Sequence, residues 1–209
     1  MVNPNLSEEE QVEALKKWWK ENGKSVVGGV VLGLGAVFGW KYWVEYNESI
    51  SNQASLEFEQ MNQFMQRGET ERASAQAEML MKEHAGTTYA VFAALSLAKA
   101  SLEQGDGPAA VAQLKWALEN ASDNSLKQIA RIRLVRILLS EGQLDAAAAQ
   151  VAAAGDDGYR GEFAELRGDI AGARGDIQAA KAAYQEALDN QVGNPVLVQM
   201  KMDDLAANL

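Results

Sequence analysis

A chain of 209 residues, 47% of them apolar, has room for one domain and an appendage, not for two large cores, and is too apolar for a disordered tail. Cysteine is absent, which excludes disulfides, thiolate nucleophiles and zinc-finger-type sites. The net charge of −10 lies wholly beyond residue 41: residues 1–41 hold five Lys and five Glu, whereas residues 42–209 hold 14 basic and 24 acidic residues, a balance that repels phosphate backbones and argues against nucleic-acid binding.

The first element follows Ser7-Glu8-Glu9-Glu10, which has the form of a capping box with Ser7 as N-cap and Glu10 at N3. Val12, Leu15 and Trp19 then share one helical face, opposite Glu13, Lys16, Lys17 and Lys20. This pattern suits a short amphipathic helix on a membrane surface, or a plain helical lead-in to the next segment.

From Ser25 to Trp40 no residue is charged, and extending the run to Val44 gives 20 residues, enough to cross about 30 Å of hydrocarbon as a helix. Lys41 sits where it can snorkel to the head groups, and Trp40, Tyr42 and Trp43 form an aromatic belt. Five glycines in 16 residues suit a buried soluble helix poorly. A cleaved signal peptide is the stronger competitor, but no small-x-small site follows the run and five Glu precede it. Lys16, Lys17, Lys20 and Lys24 precede the span, and no Lys or Arg occurs between Lys41 and Arg67. The positive-inside rule therefore puts the N-terminus in the cytoplasm and the large domain across the membrane, in the periplasm if the cell is bacterial. Gly29/Gly33 and Gly35/Gly39 are small-xxx-small pairs, which clear a stripe for another helix or simply reflect how common glycine is in membrane helices.

Beyond the span the chain reads as helices separated by short turns, with no alternating β-branched runs. Gln104-Gly105-Asp106, Glu141-Gly142-Gln143 and Arg174-Gly175-Asp176 align, with their glycines 37 and 33 residues apart, bracketing the tetratricopeptide period of about 34. Five residues after each glycine stands Ala110, Ala147 or Ala180; nine after, Leu114, Val151 or Tyr184; twelve after, Ala117, Ala154 or Ala187. Seven before stand Ala98, Val135 and Gly168, of which Val135 departs from the small residue expected. Alanine at fixed points lets paired helices approach closely, although chance coincidence in an alanine-rich chain is the competing explanation. The spacing predicts helix pairs over about 88–121, 125–155 and 160–190, an atypical pair at about 49–85, and a last helix from Asn194-Pro195 with Val198, Met202 and Leu205 on one face. The expected architecture is all-α: a short cytoplasmic segment at 1–24, a transmembrane helix at 25–44 and a tetratricopeptide-like helical-repeat solenoid at 45–209.

In such arrays the first helix of each pair lines the concave face, the usual binding surface. The register places Phe92, Leu95, Lys99 and Leu102 there from one repeat and Ile129, Ile132, Arg136 and Leu139 from the next. The third turns polar, with Glu162, Glu165 and Asp169. Six apolar residues beside two cations make a trough for an amphipathic or unfolded segment, unless the chain's own first or last helices fill it. Catalytic signals are missing. The single histidine, His84, falls at a helix end, and the pairs Asp156-Asp157 and Asp203-Asp204 are sequence neighbours that do not face each other on a helix. No phosphate loop, His-metal cluster or nucleophile elbow occurs, so the expectation is a non-enzyme with no cofactor and no metal.

Gln11-Val12-Glu13-Ala14, Glu21-Asn22-Gly23-Lys24 and the glycine-rich span ending Gly39-Trp40-Lys41-Tyr42-Trp43, followed by helical repeats, resemble the YfgM family, the ancillary SecYEG translocon subunits of Gram-negative bacteria. The resemblance covers the whole chain and is strongest over residues 11–43. It implies a single-pass inner-membrane protein with a periplasmic tetratricopeptide-like domain. Its implied partners are translocon membrane subunits, the membrane-anchored periplasmic chaperone PpiD and unfolded newly exported proteins; no catalytic residue carries over. An envelope-assembly or stress-regulatory scaffold, not tied to the translocon, is the alternative reading.

Overall fold

The computed structural model describes residues 8–155 and 158–207; the Ser7 cap and the Asp156-Asp157 pair lie outside the described residues. The described residues form α-helices and no strand: α1 (Glu8–Gln66), α2 (Thr70–Glu83), α3 (Thr88–Glu103), α4 (Gly107–Asn120), α5 (Asn124–Ser140), α6 (Leu144–Ala152), α7 (Arg160–Ala173), α8 (Ile177–Asp189) and α9 (Pro195–Ala207). The chain divides into two compact units, Met1–Ser49 and Ile50–Leu209.

In the first unit the amphipathic stretch runs into the apolar stretch as one helix, and this is the one described helix long and apolar enough to cross a membrane. Gly23 does not break it. The Trp19 ring lies over Gly23, 3.2 Å from where a Cβ would stand, so the missing side chain is filled by the indole one turn earlier. Val27, Val31, Leu34 and Phe38 are all exposed, an apolar surface suited to lipid. The Trp40 and Trp43 rings meet at a tilt of 36° with centroids 5.3 Å apart, beside the exposed Lys41–Glu45 pair.

The second unit is a stack of helical hairpins. The glycine turns at Gly105, Gly142 and Gly175 share one backbone device. Each glycine has φ between +70° and +79°, its N–H bonds the carbonyl three residues earlier, and the next N–H bonds the carbonyl five residues before it. This is the Schellman helix stop, in which the left-handed position favours glycine. Gly68 makes the same two bonds at φ +73° and joins the last part of α1 to α2. The signal for this fourth turn lies in the sequence, because Gly68 precedes Gly105 by the same 37 residues that separate Gly105 from Gly142. Its register escapes notice because the positions +5, +9 and +12 hold Ala73, Ala77 and Leu80, all buried, in place of alanine, a bulky residue and alanine.

The packing positions behave as the period requires. Ala110, Ala147, Ala180, Leu114, Val151, Tyr184, Ala117 and Ala187 are all buried; only Ala154 is half-exposed, because α6 stops at Ala152, before that position is reached. One core cluster joins α3, α4, α5, α6 and α7, a second joins α2 and α3 to Ala54 and Met61 of α1, and a third joins α7, α8 and α9. Helix starts are capped by Thr87, Asp106, Asp123, Asp176 and Asn194, each accepting a backbone N–H three residues on. Where α5 meets α6, Arg131 donates to the Gln150 carbonyl and side chain, and burial pulls its pKa below the ordinary guanidinium value. His84 is more than a helix-end residue: it is buried at the close of α2, with Nε2 3.4 Å from Glu57 Oε1 on α1.

Candidate concave binding groove

The groove residues divide into three stretches. At the α1 end, Phe92 is half-buried and its ring meets those of Phe58 and Tyr89, with centroids 6.0 and 6.5 Å away. This stretch is filled by the chain itself.

Leu95 and Ile132, only 6% and 7% exposed, belong to the main core cluster, and half-buried Leu139 packs against it. Ile129 is half-buried at the start of α5. A charge introduced at Leu95 or Ile132 would be buried without a partner, so these two support the groove from below.

The middle stretch is open. A cavity of about 460 Å³ lies between α3 and α5. Leu95, Ala98, Leu114 and Ile137 line it together with Leu102, which is 44% exposed. Lys99 from α3 and Arg133 and Arg136 from α5 also line it, and Ser140 is the remaining lining residue. The Lys99 side chain is 75% exposed and reaches Glu103 at 3.7 Å, and that of Arg136 is 57% exposed and lies 3.9 Å from Glu165. Arg133 is exposed and has no ion-pair partner among the described residues. The repeat register, which used positions −13, −10, −6 and −3, passes over Arg133; an arginine one turn before Arg136 was the available signal.

At the α9 end the polar third repeat is closed by the last helix. Lys201 Nζ donates to Glu165 Oε1 at 2.7 Å and to both Asp169 oxygens at 2.8 Å. Tyr184 donates its hydroxyl to Asp169 at 2.8 Å. Burial, that bond and the nearby Asp169 and Glu165 charges hold the phenol above its ordinary pKa. Glu162 accepts the Gly193 N–H at 3.2 Å. A cavity of about 470 Å³ remains there and shares Arg136 with the middle stretch.

A wider hollow of about 800 Å³ lies between α6, α7 and α8, lined largely by alanines. Its cations are engaged, Arg167 with Glu186 at 2.7 Å and Arg174 with Asp145 at 2.5 Å. Among the described residues no group of three His, Asp or Glu is placed to hold a metal ion.

A helical-repeat array with Schellman glycine turns, fixed alanine contacts and an N-terminal helix able to span a membrane defines a tetratricopeptide-like protein. The sequence profile of the tetratricopeptide repeat-like domain accordingly matches residues 16–207. The chain is 33% identical over 203 residues to the "Ancillary SecYEG translocon subunit" of Escherichia coli K12, covering 96% of this chain and 97% of that protein. Proteins of the same name from Aggregatibacter actinomycetemcomitans and Haemophilus influenzae are 32% identical over 201 residues (96% and 98% of the two chains) and 37% identical over 141 residues (68% and 69%). The chain belongs to the family of these ancillary SecYEG translocon subunits.

Proposed function

We propose that the chain is a non-enzymatic, membrane-anchored adaptor of the protein-export translocon. Its N-terminus lies in the cytoplasm and its repeat unit in the periplasm. The match to translocon subunits along 96% of the chain, anchor and repeats together, is the observation that carries this reading. The orientation rests on the four lysines before the span and the absence of Lys or Arg between Lys41 and Arg67. Gly29, Gly33, Gly35 and Gly39 dock a membrane helix of the channel, since among the described residues no side chain or other element lies within 4 Å of a Cβ built at any of them. The open middle stretch of the groove holds a periplasmic chaperone of the PpiD kind or a newly exported polypeptide. Leu95 lines it, Phe92, Ile129, Ile132 and Leu139 belong to the packing beside and beneath it, and Lys99, Leu102 and Arg136 meet the partner.

Recovery from membranes in mild detergent tests the proposal. Channel subunits should accompany the chain, and Gly33→Ile with Gly39→Ile should reduce their recovery. Recovery of envelope-assembly machinery without channel subunits would replace it with the scaffold reading.

A further inference from the structure

We propose that the cavity between α3 and α5 selects a segment in which an apolar side chain is flanked by side-chain carboxylates. This deepens the adaptor reading and rests on it, by naming the chemistry that the groove accepts. Residues 42–209 carry 24 acidic and 14 basic residues, so a random patch of this unit is acidic. The cavity inverts that balance: Lys99, Arg133 and Arg136 line it and, among the described residues, no carboxylate does. Three like charges around one apolar floor repel each other, and an anionic ligand relieves that repulsion. In the two neighbouring cavities Arg167, Arg174 and Lys201 are neutralised from within, each lying within 2.7 Å of a carboxylate oxygen. Here Lys99 has only a 3.7 Å contact to an exposed glutamate, Arg136 a 3.9 Å contact, and Arg133 none among the described residues.

The floor supplies the second half of the specificity. Leu102 stays exposed above Leu95, Leu114 and Ile137, so the cavity of about 460 Å³ accepts one or two side chains of leucine or methionine size. A purely acidic segment would leave this floor wet, and a purely apolar one would leave Arg133 without a counter-charge and Lys99 and Arg136 with only their long contacts to Glu103 and Glu165. The α1 and α9 ends of the groove are already occupied by Phe58 and Lys201, which limits the bound segment to a few turns of helix. Exposed Val196, Leu197 and Met200 with Asp203 give α9 a related chemistry, so docking of a second copy is an outcome that the test below separates from the partner segment proposed here.

The test uses the full chain in nanodiscs and a fluorescent amphipathic peptide, blocked at both ends, with leucines flanked by Asp and Glu; the control replaces every Asp and Glu by Asn and Gln. The acidic peptide should bind at least about tenfold more tightly than the control and lose affinity with added salt. Lys99→Glu and Arg133→Glu should each weaken it roughly three- to tenfold, and Leu102→Asp should weaken it further, with the helical circular-dichroism signal unchanged. Equal binding of both peptides, or indifference to both charge reversals, overturns the proposal. Failure of the acidic peptide to bind in neutral nanodiscs, with the chain in those nanodiscs capturing phosphatidylglycerol vesicles in a manner abolished by Arg133→Glu, would assign the cavity to lipid head groups and overturn it. A concentration-dependent rise in mass, abolished by Arg133→Glu, would assign the cavity to a second copy, with the same consequence. Co-recovery of channel subunits is scored separately on the same variants. Its loss in the unaltered chain would sink the adaptor reading, whereas its persistence without charge-dependent peptide binding would sink only this inference.

Discussion

Replacing Gly168 by alanine is expected to destabilise the repeat unit, although alanine is the better helix former and the equivalent position of an earlier repeat, Ala98, already holds it. The reason is the partner nine residues after the turn. A Cβ built on Gly168 overlaps the Tyr184 ring, with Cγ only 3.0 Å away. The ring cannot yield, because Tyr184 is 4% exposed and its hydroxyl is tied to Asp169. Across the repeats the two positions exchange bulk: Ala98 goes with Leu114, Val135 with Val151 and Gly168 with Tyr184. Overpacking costs about 1–3 kcal/mol, an overlap this deep belongs to the upper part of that range, about 2–3 kcal/mol, and the gain in helix propensity returns about 1 kcal/mol. The net loss of about 1–2 kcal/mol lowers Tm by about 2–8 °C in a unit of this size. The assay is thermal unfolding of the purified full chain in detergent, followed by circular dichroism at the tyrosine band, for Gly168→Ala, Tyr184→Leu and the double variant. The double variant should be more stable than the sum of the single losses predicts, by about 1 kcal/mol or more. A Gly168→Ala protein as stable as the parent, or strictly additive losses, would refute the reasoning.

Further outcomes follow from other contacts. Gly161→Ala should cost at least about 2 kcal/mol, because its Cβ would stand 2.7 Å from the Val192 backbone nitrogen, whereas Gly107→Ala should be tolerated, because only the end of the flexible Glu141 side chain is in the way; urea unfolding distinguishes the two. Lys201→Met should cost about 1–3 kcal/mol by leaving the buried Glu165 without its closest cation, and adding Glu165→Gln should restore part of that in the same titration. The raised pKa of Tyr184 contributes stability that is fully present below about pH 10, the unfolded value, and is lost as pH rises further. Tyr184→Phe should therefore flatten the alkaline fall in Tm.

The repeat architecture was legible because its determinants are local. A left-handed glycine ends a helix wherever it stands, so Gly105, Gly142 and Gly175 announce their turns, and Asn194-Pro195 announces α9. The first hairpin was less legible because Ala77 and Leu80 interchange the usual bulky and small positions, although Gly68 keeps the spacing. Periodicity also shows which face of α3 and α5 points toward the groove. It does not show which part of that face other helices cover. That depends on contacts distant in sequence: Phe58 against Phe92, 34 residues apart, and Lys201 against Glu165, 36 apart. The same limit hid Arg133: standing one turn before Arg136 marks its face, but its place beside the cavity depends on the separation of α3 from α5.

The most direct test of the account is in-cell photo-crosslinking from Leu102, at the open stretch of the groove, and from Gly35 in the span. The account predicts crosslinks from Leu102 to a periplasmic chaperone or to exported polypeptides, and from Gly35 to a membrane subunit of the channel. Crosslinks from Leu102 confined to the chain itself, with none from Gly35 to the channel, would contradict it.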